Sequence, residues 1–202
     1  MLSIFNQRGL LAIAILVASS SALSKDISYD FLEGGYASTS TDSDVGGDDL
    51  DFDSFGIAGS SSSTKNMAIT FSLDTTALDK PSGVKLETLS VSVGLTAHTL
   101  ITNSTSLFGN FSLLSAEVTD AAGDESDFGN ITTIGLRYAA TNSIELDVAF
   151  SHTRIFDGIT NTLGGGVRYY VDEKFSLGIG YAVVDNSDVN SQSILLNARI
   201  DM

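Results

Sequence analysis

Bulky apolar residues alternate with small or polar residues along most of the chain. The clearest run places Ile144, Leu146, Val148 and Phe150 between glutamate, aspartate, alanine and serine. A period of two sends successive side chains to opposite faces of a β-strand, so such a run predicts a strand with one apolar face. Regular or weaker forms of the pattern predict ten strands, around residues 27–39, 53–62, 67–73, 89–95, 105–117, 134–138, 144–151, 162–171, 175–183 and 194–200. Eight strands is the alternative, if two of the less regular segments are loops.

The connections between these strands alternate in character. A shorter set lies around residues 62–66, 98–105, 140–143 and 171–174. A longer or more acidic set covers residues 40–53, 75–87, 118–129, 154–161 and 185–191. An even number of strands with unequal connections at the two ends is typical of an up-and-down barrel, whose closure leaves no sheet edge unpaired. The predicted fold is therefore an all-β, up-and-down antiparallel barrel.

The composition of the two strand faces predicts which face is turned outward. In a soluble barrel the apolar face fills the interior, and the outer face carries many charged residues. Here the face opposite the apolar one consists mostly of Gly, Ser, Thr and Ala, and the charges concentrate in the connections. That distribution is typical of a transmembrane barrel with an apolar outer band and a small, polar lumen. A soluble secreted β-barrel binding protein remains the alternative.

The first 24 residues have the layout of a secretory signal peptide. Arg8 supplies the positive charge, residues 9–18 form an apolar run, and residues 19–24 are small and polar. The apolar run is well short of the roughly 20 residues that a membrane-spanning helix needs. We therefore predict cleavage before Lys25 and a single mature β-barrel domain over residues 25–202.

Composition excludes several classes of function. The chain has 25 acidic and 10 basic residues, for a formal net charge of −15, and such a surface repels a nucleic-acid backbone. It has no cysteine, which excludes a disulfide framework, a thiolate nucleophile and a cysteine-based zinc site. No motif in the sequence predicts a cofactor.

Six charged residues are expected to point into the lumen, five by strand parity and Glu33 because a charge that faces lipid is costly. They are Glu33, Arg137, Glu145, Asp147, Arg168 and Arg199. Each lies near a short connection or a terminus of the barrel, so all six are expected at a similar depth. Closure would also bring the first strand, with Glu33, beside the last strand and Arg199. Buried charges must be paired, and we favour an ion-pair cluster that fills the lumen over a charged gate.

The first long connection is rich in aspartate. Asp49, Asp51 and Asp53 alternate and would share a face of an extended segment, where carboxylate oxygens suit Ca²⁺ or Mg²⁺. The segment lacks the central glycine and the twelfth-position glutamate of a calcium loop. These three residues are therefore weak metal candidates, and solvated acidic loops are the preferred interpretation.

Four segments resemble the small outer-membrane β-barrel proteins of Gram-negative bacteria, related to the OmpA transmembrane domain and the OmpX/Ail group. These segments are residues 29–36 (YDFLEGGY), 55–60 (FGIAGS), 163–170 (LGGGVRYY) and 175–181 (FSLGIGY). The resemblance implies an outer-membrane location, contact with outer-membrane lipid and lipopolysaccharide, and insertion by the barrel assembly machinery. It also allows divalent cations to bind at the acidic loops.

Enzymes do occur among outer-membrane barrels, and lipid A deacylases use a histidine and a serine two positions apart. The only histidines are His98 and His152. Two positions after His152, where such an enzyme would need the serine, this chain has Arg154. A nucleophile–base pair of this kind is absent, so no enzymatic activity is predicted. The expected function is a non-enzymatic outer-membrane protein with acidic external loops and an envelope-structural or surface-interaction role. A narrow porin-like channel for small polar solutes or cations is the alternative.

Overall fold

The computed structural model describes residues 30–42, 50–79, 85–120, 123–186 and 189–202. The predicted signal peptide lies outside the described residues, as does Asp49. Ten strands are present: β1 (Phe31–Asp42), β2 (Leu50–Thr64), β3 (Met67–Asp79), β4 (Lys85–Thr102), β5 (Thr105–Asp120), β6 (Gly123–Ala139), β7 (Ile144–Ile155), β8 (Gly158–Tyr170), β9 (Phe175–Asn186) and β10 (Val189–Asp201). Among the described residues no helix is long and apolar enough to cross a membrane.

The sheet closes into a barrel in which each strand pairs with its neighbours in sequence. Strand β1 pairs with β10 in antiparallel register, and Glu33 lies opposite Arg199. The up-and-down, ten-stranded prediction is confirmed, and the eight-stranded alternative is wrong. Because the barrel is closed, every strand has a hydrogen-bonding partner on both sides.

The two ends of the barrel differ. Four short connections, residues 65–66, 103–104, 140–143 and 171–174, lie at the end that also holds Asp30 and Met202, and we call it the turn end. We call the opposite end, with the other five connections, the loop end. This division agrees with the two sets of connections that the sequence predicts.

The outer face carries the bulky apolar side chains. On β7, Leu146, Val148 and Phe150 are 39%, 46% and 43% exposed, whereas Glu145 and Ala149 on the opposite face are buried. The same alternation exposes apolar side chains on all ten strands and forms a continuous outer band. A soluble barrel would place these side chains inside, so the structure does not support the soluble alternative.

The interior has three zones. Charged and aromatic residues occupy the turn end, and threonine, serine and glycine line the middle. The third zone, at and toward the loop end, is an apolar cluster formed by Ala37, Phe52, Leu78, Leu86, Leu114, Ala116, Val118, Ile131, Ile155, Ala182 and Leu195. The sequence pattern predicts a small, polar lumen throughout, and for this third zone that prediction is wrong.

Strands also extend further than predicted at the loop end. Residues 118–129 were expected to form a long loop, but β5 continues to Asp120 and β6 begins at Gly123. Strand β2 begins at Leu50, so Asp51 lies on a strand instead of in a loop, and Asp53, where the predicted strand begins, lies within β2. Main-chain hydrogen bonds hold a ladder together whatever the side chains are, so strands continue into water where the apolar alternation has stopped.

The expected loop over residues 154–161 is a tight hairpin turn. Only Phe156 and Asp157 lie between β7 and β8, and both have positive φ, 50° and 55°. Two such residues match the twist of the flanking strands, although glycine or asparagine is the usual choice. Phe156 packs against the interior apolar cluster, and its backbone N–H donates to Asp127 Oδ2 at 2.6 Å. These contacts offset the strain of a bulky residue with positive φ.

Candidate functional site

The structure places all six charged residues that the sequence singled out on the inner face at the turn end. Five of them, Glu33, Arg137, Glu145, Arg168 and Arg199, are at most 4% exposed, and Asp147 is partly buried. The main-chain register sets three opposite-charge pairs directly side by side. These pairs are Glu33 with Arg199, Arg137 with Asp147, and Glu145 with Arg168. Facing charges of opposite sign stabilise neighbouring strands.

The side chains reach beyond these register partners. Arg168 extends across the lumen from β8 to β1, where its Nη2 donates to Glu33 Oε2 at 2.5 Å. Its other terminal nitrogen, Nη1, donates to Ser176 Oγ at 3.2 Å. Strands β9 and β10 lie between β8 and β1 in the wall. This ion pair is therefore a brace between separate parts of the barrel.

The other two arginines are held by carboxylates and by aromatic rings. Arg137 Nε lies 3.9 Å from Glu145 Oε1, and its guanidinium lies 5.0 Å from the centre of the Phe108 ring. Arg199 Nε donates to Asp201 Oδ1 at 2.6 Å, and its guanidinium lies 3.9 Å from the centre of the Phe31 ring. Cation–π contacts of this kind add to the ion pairs when both groups are desolvated.

Four residues of this cluster were not among the sequence-predicted site residues: Phe31, Phe108, Tyr170 and Asp201. The Tyr170 hydroxyl donates to Glu145 Oε2 at 3.1 Å. Three of the four stand two positions from a predicted residue and therefore share its face. Parity could have identified those three. Phe108 has no predicted residue two positions away on β5, and the position opposite it on β6 is Gly135.

Glycines in the wall make room for the cluster. A Cβ built on Gly135 would lie 2.4 Å from the Phe108 ring. This ring, which Arg137 covers, can therefore lie across β6 only because residue 135 has no side chain. At Gly166 a Cβ would lie 3.0 Å from Asp147 Oδ1. The interior positions of the ring and of this carboxylate thus depend on the missing side chains.

A small cavity adjoins the charged cluster. Its volume is about 20 Å³, and its lining includes Asp147, Gly166, Arg168, Gly178 and Asn197. Arg168 Nε and Asn197 Oδ1 are buried and have no hydrogen-bond partner in the part of the chain that the structure describes. A cavity of this size holds about one water molecule, which requires polar partners of this kind.

The acidic residues of β2 lie apart from this cluster. Asp51 and Asp53 are exposed on the outer face, and Asp53 Oδ1 accepts a hydrogen bond from the Tyr36 hydroxyl at 2.5 Å. Over the described ranges, no group of three or more histidine, aspartate or glutamate side chains is placed to hold a metal ion.

The two histidines lie on different faces and do not form a catalytic arrangement with serine. His152 is half-buried on the outer face, whereas the adjacent Ser151 points inward and shares a hydrogen bond with Thr133. Neighbouring positions of a strand project to opposite sides. His152 instead contacts Asn161 and Arg154 on its own face.

No protein-family model matches the chain, and no curated protein matches it either. Similar solved structures do exist. The β-domain of the Bordetella autotransporter BrkA is 10% identical, with 86% of this chain and 100% of that chain covered and a TM-score of 0.54. The translocator domain of the autotransporter NalP from Neisseria meningitidis is 9% identical, with coverages of 85% and 88% and a TM-score of 0.53. Ail of Yersinia pestis is 14% identical, with coverages of 86% and 97% and a TM-score of 0.41. The fold is that of the outer-membrane β-barrels.

Proposed function

We propose that this protein is a non-enzymatic integral outer-membrane barrel whose filled interior makes it a rigid scaffold for its external surface. The observation that carries the proposal is the Arg168–Glu33 ion pair across the lumen. Each of the other described interior arginines, Arg137 and Arg199, also has a carboxylate partner, and the apolar cluster occupies the lumen beyond them. A lumen arranged in this way favours stability over passage of solutes.

The outer face supports a membrane location. In the half nearer the loop end the apolar band includes Tyr36 and Tyr181, whose hydroxyls donate to Asp53 Oδ1 and Gln192 Oε1. Tyrosines with an apolar ring and a hydrogen-bonded hydroxyl are typical of the boundary between hydrocarbon and water. The loop end would then face the cell exterior, as the unequal connections of such barrels suggest.

The exterior would present an acidic surface. Above the apolar band, exposed acidic residues on the strands include Asp51, Asp53, Glu87, Glu117, Asp124, Glu125 and Asp185. Because these residues lie on a hydrogen-bonded sheet, their positions are fixed by the barrel. We propose that this surface, supported by the rigid interior, serves an envelope-structural or surface-interaction role.

Planar-bilayer recording of the refolded mature protein tests the proposal. We expect no steady current from the wild type, and none from a Lys174→Gln control at an exposed turn position. Heat-dependent electrophoretic mobility would show that each sample is folded. Steady, ion-selective current from the wild-type barrel would refute a filled scaffold.

A narrow channel is the second candidate, and the cavity beside Asp147 favours it. Gly166, Gly178 and Gly180 line it without side chains, and the other lining residues include Arg168 and Asn197, which hold the buried polar atoms. A channel predicts wild-type current whose ion selectivity changes in Arg168→Gln, with stability close to that of the wild type. The scaffold predicts a silent wild type and a destabilised variant.

A further inference from the structure

The outer face at the loop end carries one arginine in a setting unlike that of the others. Arg154 on β7 is exposed and points outward, just beyond the apolar band. Phe150, four positions earlier on the same face, lies within the band and is 43% exposed. Asn130 lies opposite Arg154 on β6, and Ile159 lies opposite it on β8.

Hydrogen bonds orient this guanidinium. Arg154 Nε donates to His152 Nε2 at 3.1 Å, and His152 Nδ1 lies 2.9 Å from Asn161 Oδ1. A guanidinium only donates hydrogen bonds, so Nε2 accepts and neutral His152 carries its proton on Nδ1, which donates to Asn161. The two terminal nitrogens of Arg154 and the amide nitrogen of Asn161 remain as donors on this face.

Arg154 also differs from the interior arginines because no described carboxylate forms an ion pair with it. Arg137, Arg168 and Arg199 each have an acidic partner, whereas no ion pair joins Arg154 to a carboxylate of the described residues. The other described charges on the outer face at this height are acidic: Asp53, Glu87, Glu117 and Asp185. Among the described residues of this rim, Arg154 thus offers a negatively charged group a cation that no carboxylate already holds.

Apolar side chains flank the donors on two sides. Phe128, which is 83% exposed, stands two positions before Asn130 on β6, and Ile159 is 42% exposed. Toward the turn end, Ile134, Phe150 and Leu163 form an outward row across three adjacent strands. Donors bordered by apolar surface suit a molecule with an anionic head and a hydrocarbon chain.

We propose that Arg154 and Asn161, with His152 orienting the guanidinium, bind the phosphate group of an outer-leaflet lipid. The phosphate accepts hydrogen bonds from the terminal nitrogens of Arg154, and the acyl chain lies over Phe150 and Leu163. Asp185, opposite Asn161 on β9, repels the phosphate on that side, so the head group lies over β7, between Arg154 and Asn161. The site rests on the proposed outer-membrane location with the loop end outward, but it is on the outside of the wall and does not depend on whether the lumen conducts.

Native mass spectrometry of the mature barrel in detergent tests the site with dimyristoyl phosphatidic acid as the probe. Dimyristoylglycerol, with the same chains and no phosphate, is the matched lipid. We expect the wild type to prefer the phosphate lipid, and Arg154→Gln to weaken its binding about tenfold, because charge-assisted hydrogen bonds are lost. Lys174→Gln removes an exposed charge at the turn end and should leave binding unchanged.

A second variant tests the proposal even if Arg154→Gln fails to fold. Asn161→Asp keeps the arginine but places a carboxylate beside it, and it should weaken phosphate-lipid binding to a similar extent. Electrophoretic mobility with and without heating reports folding in both cases. Unchanged preference in a folded Arg154→Gln or Asn161→Asp barrel would overturn the proposal, as would equal loss in Lys174→Gln. Displacement of the lipid by millimolar inorganic phosphate would identify a free-phosphate site and would also contradict it.

Discussion

Replacing Arg168 or Glu33 by glutamine should strongly destabilise the barrel, and replacing both should cost less than the two single changes together. Both side chains are nearly inaccessible to solvent, and they meet at 2.5 Å inside the turn end of the barrel. Removing one partner of a buried ion pair leaves the other charge uncompensated, at a cost of about 3–5 kcal/mol. The double variant leaves neither charge, so we expect its loss to fall below the sum by about 2–3 kcal/mol.

Urea unfolding of the barrel in lipid vesicles measures these free energies. The chain has no tryptophan, so far-ultraviolet circular dichroism and the heat-dependent shift in electrophoretic mobility are the suitable probes. Lys174→Gln is the reference, because substitutions at exposed positions usually change stability by no more than about 0.5 kcal/mol. Single variants as stable as this reference would refute a structural brace. A double variant whose loss equals the sum would show that the two residues do not act as a pair.

Two further predictions concern the wall and a turn. Gly135→Ala should lower the free energy of unfolding by about 1–3 kcal/mol through overpacking, since a Cβ there would lie 2.4 Å from the Phe108 ring. Gly109→Ala is the control in the same urea assay, because the atom nearest to a Cβ at that position is 3.8 Å away. Equal losses of stability in the two variants would contradict the reasoning. Two backbone N–H groups of its own turn lower the pKa of Asp172 below its usual 3.8. The ionised Asp172 carboxylate therefore stabilises the turn fully above the pKa that this group has in the unfolded chain, and the stabilisation is lost as pH falls through its lower pKa in the folded protein. An NMR titration that gives Asp172 a pKa at or above 3.8 would contradict this.

The fold follows from local pattern to a large extent. The alternation in residues 144–151 is enough to predict a strand, its two faces and the burial of Glu145, because the period of a strand is a property of the backbone alone. The same parity assigns Arg137, Arg168 and Arg199 to the interior. The limits of the strands are less predictable, since the ladder continues to Asp120 and restarts at Gly123 through residues with no apolar alternation.

The arrangement inside the barrel depends on closure. Register neighbours would pair Arg168 with Glu145, yet Arg168 reaches Glu33 on a strand that is 135 residues away in sequence. A short-range pattern contains no information on which side chains meet across a lumen. The contact between Arg137 and Phe108 likewise requires both the β5–β6 pairing and the absence of a side chain at Gly135.

The local pattern of residues is enough to predict the strands, their inner and outer faces and the general depth of the interior charges, because each of these follows from a two-residue period and from spacing to the nearest turn. The partners of the charges, the apolar cluster around Phe52, Leu114 and Ile131, and the hydrogen bonds from Arg154 through His152 to Asn161 follow only from the closed barrel. Each of these requires residues from strands that only closure and register bring together. The direction of a side chain depends on its position along its own strand, whereas its contacts inside the barrel depend on how all ten strands pair and close.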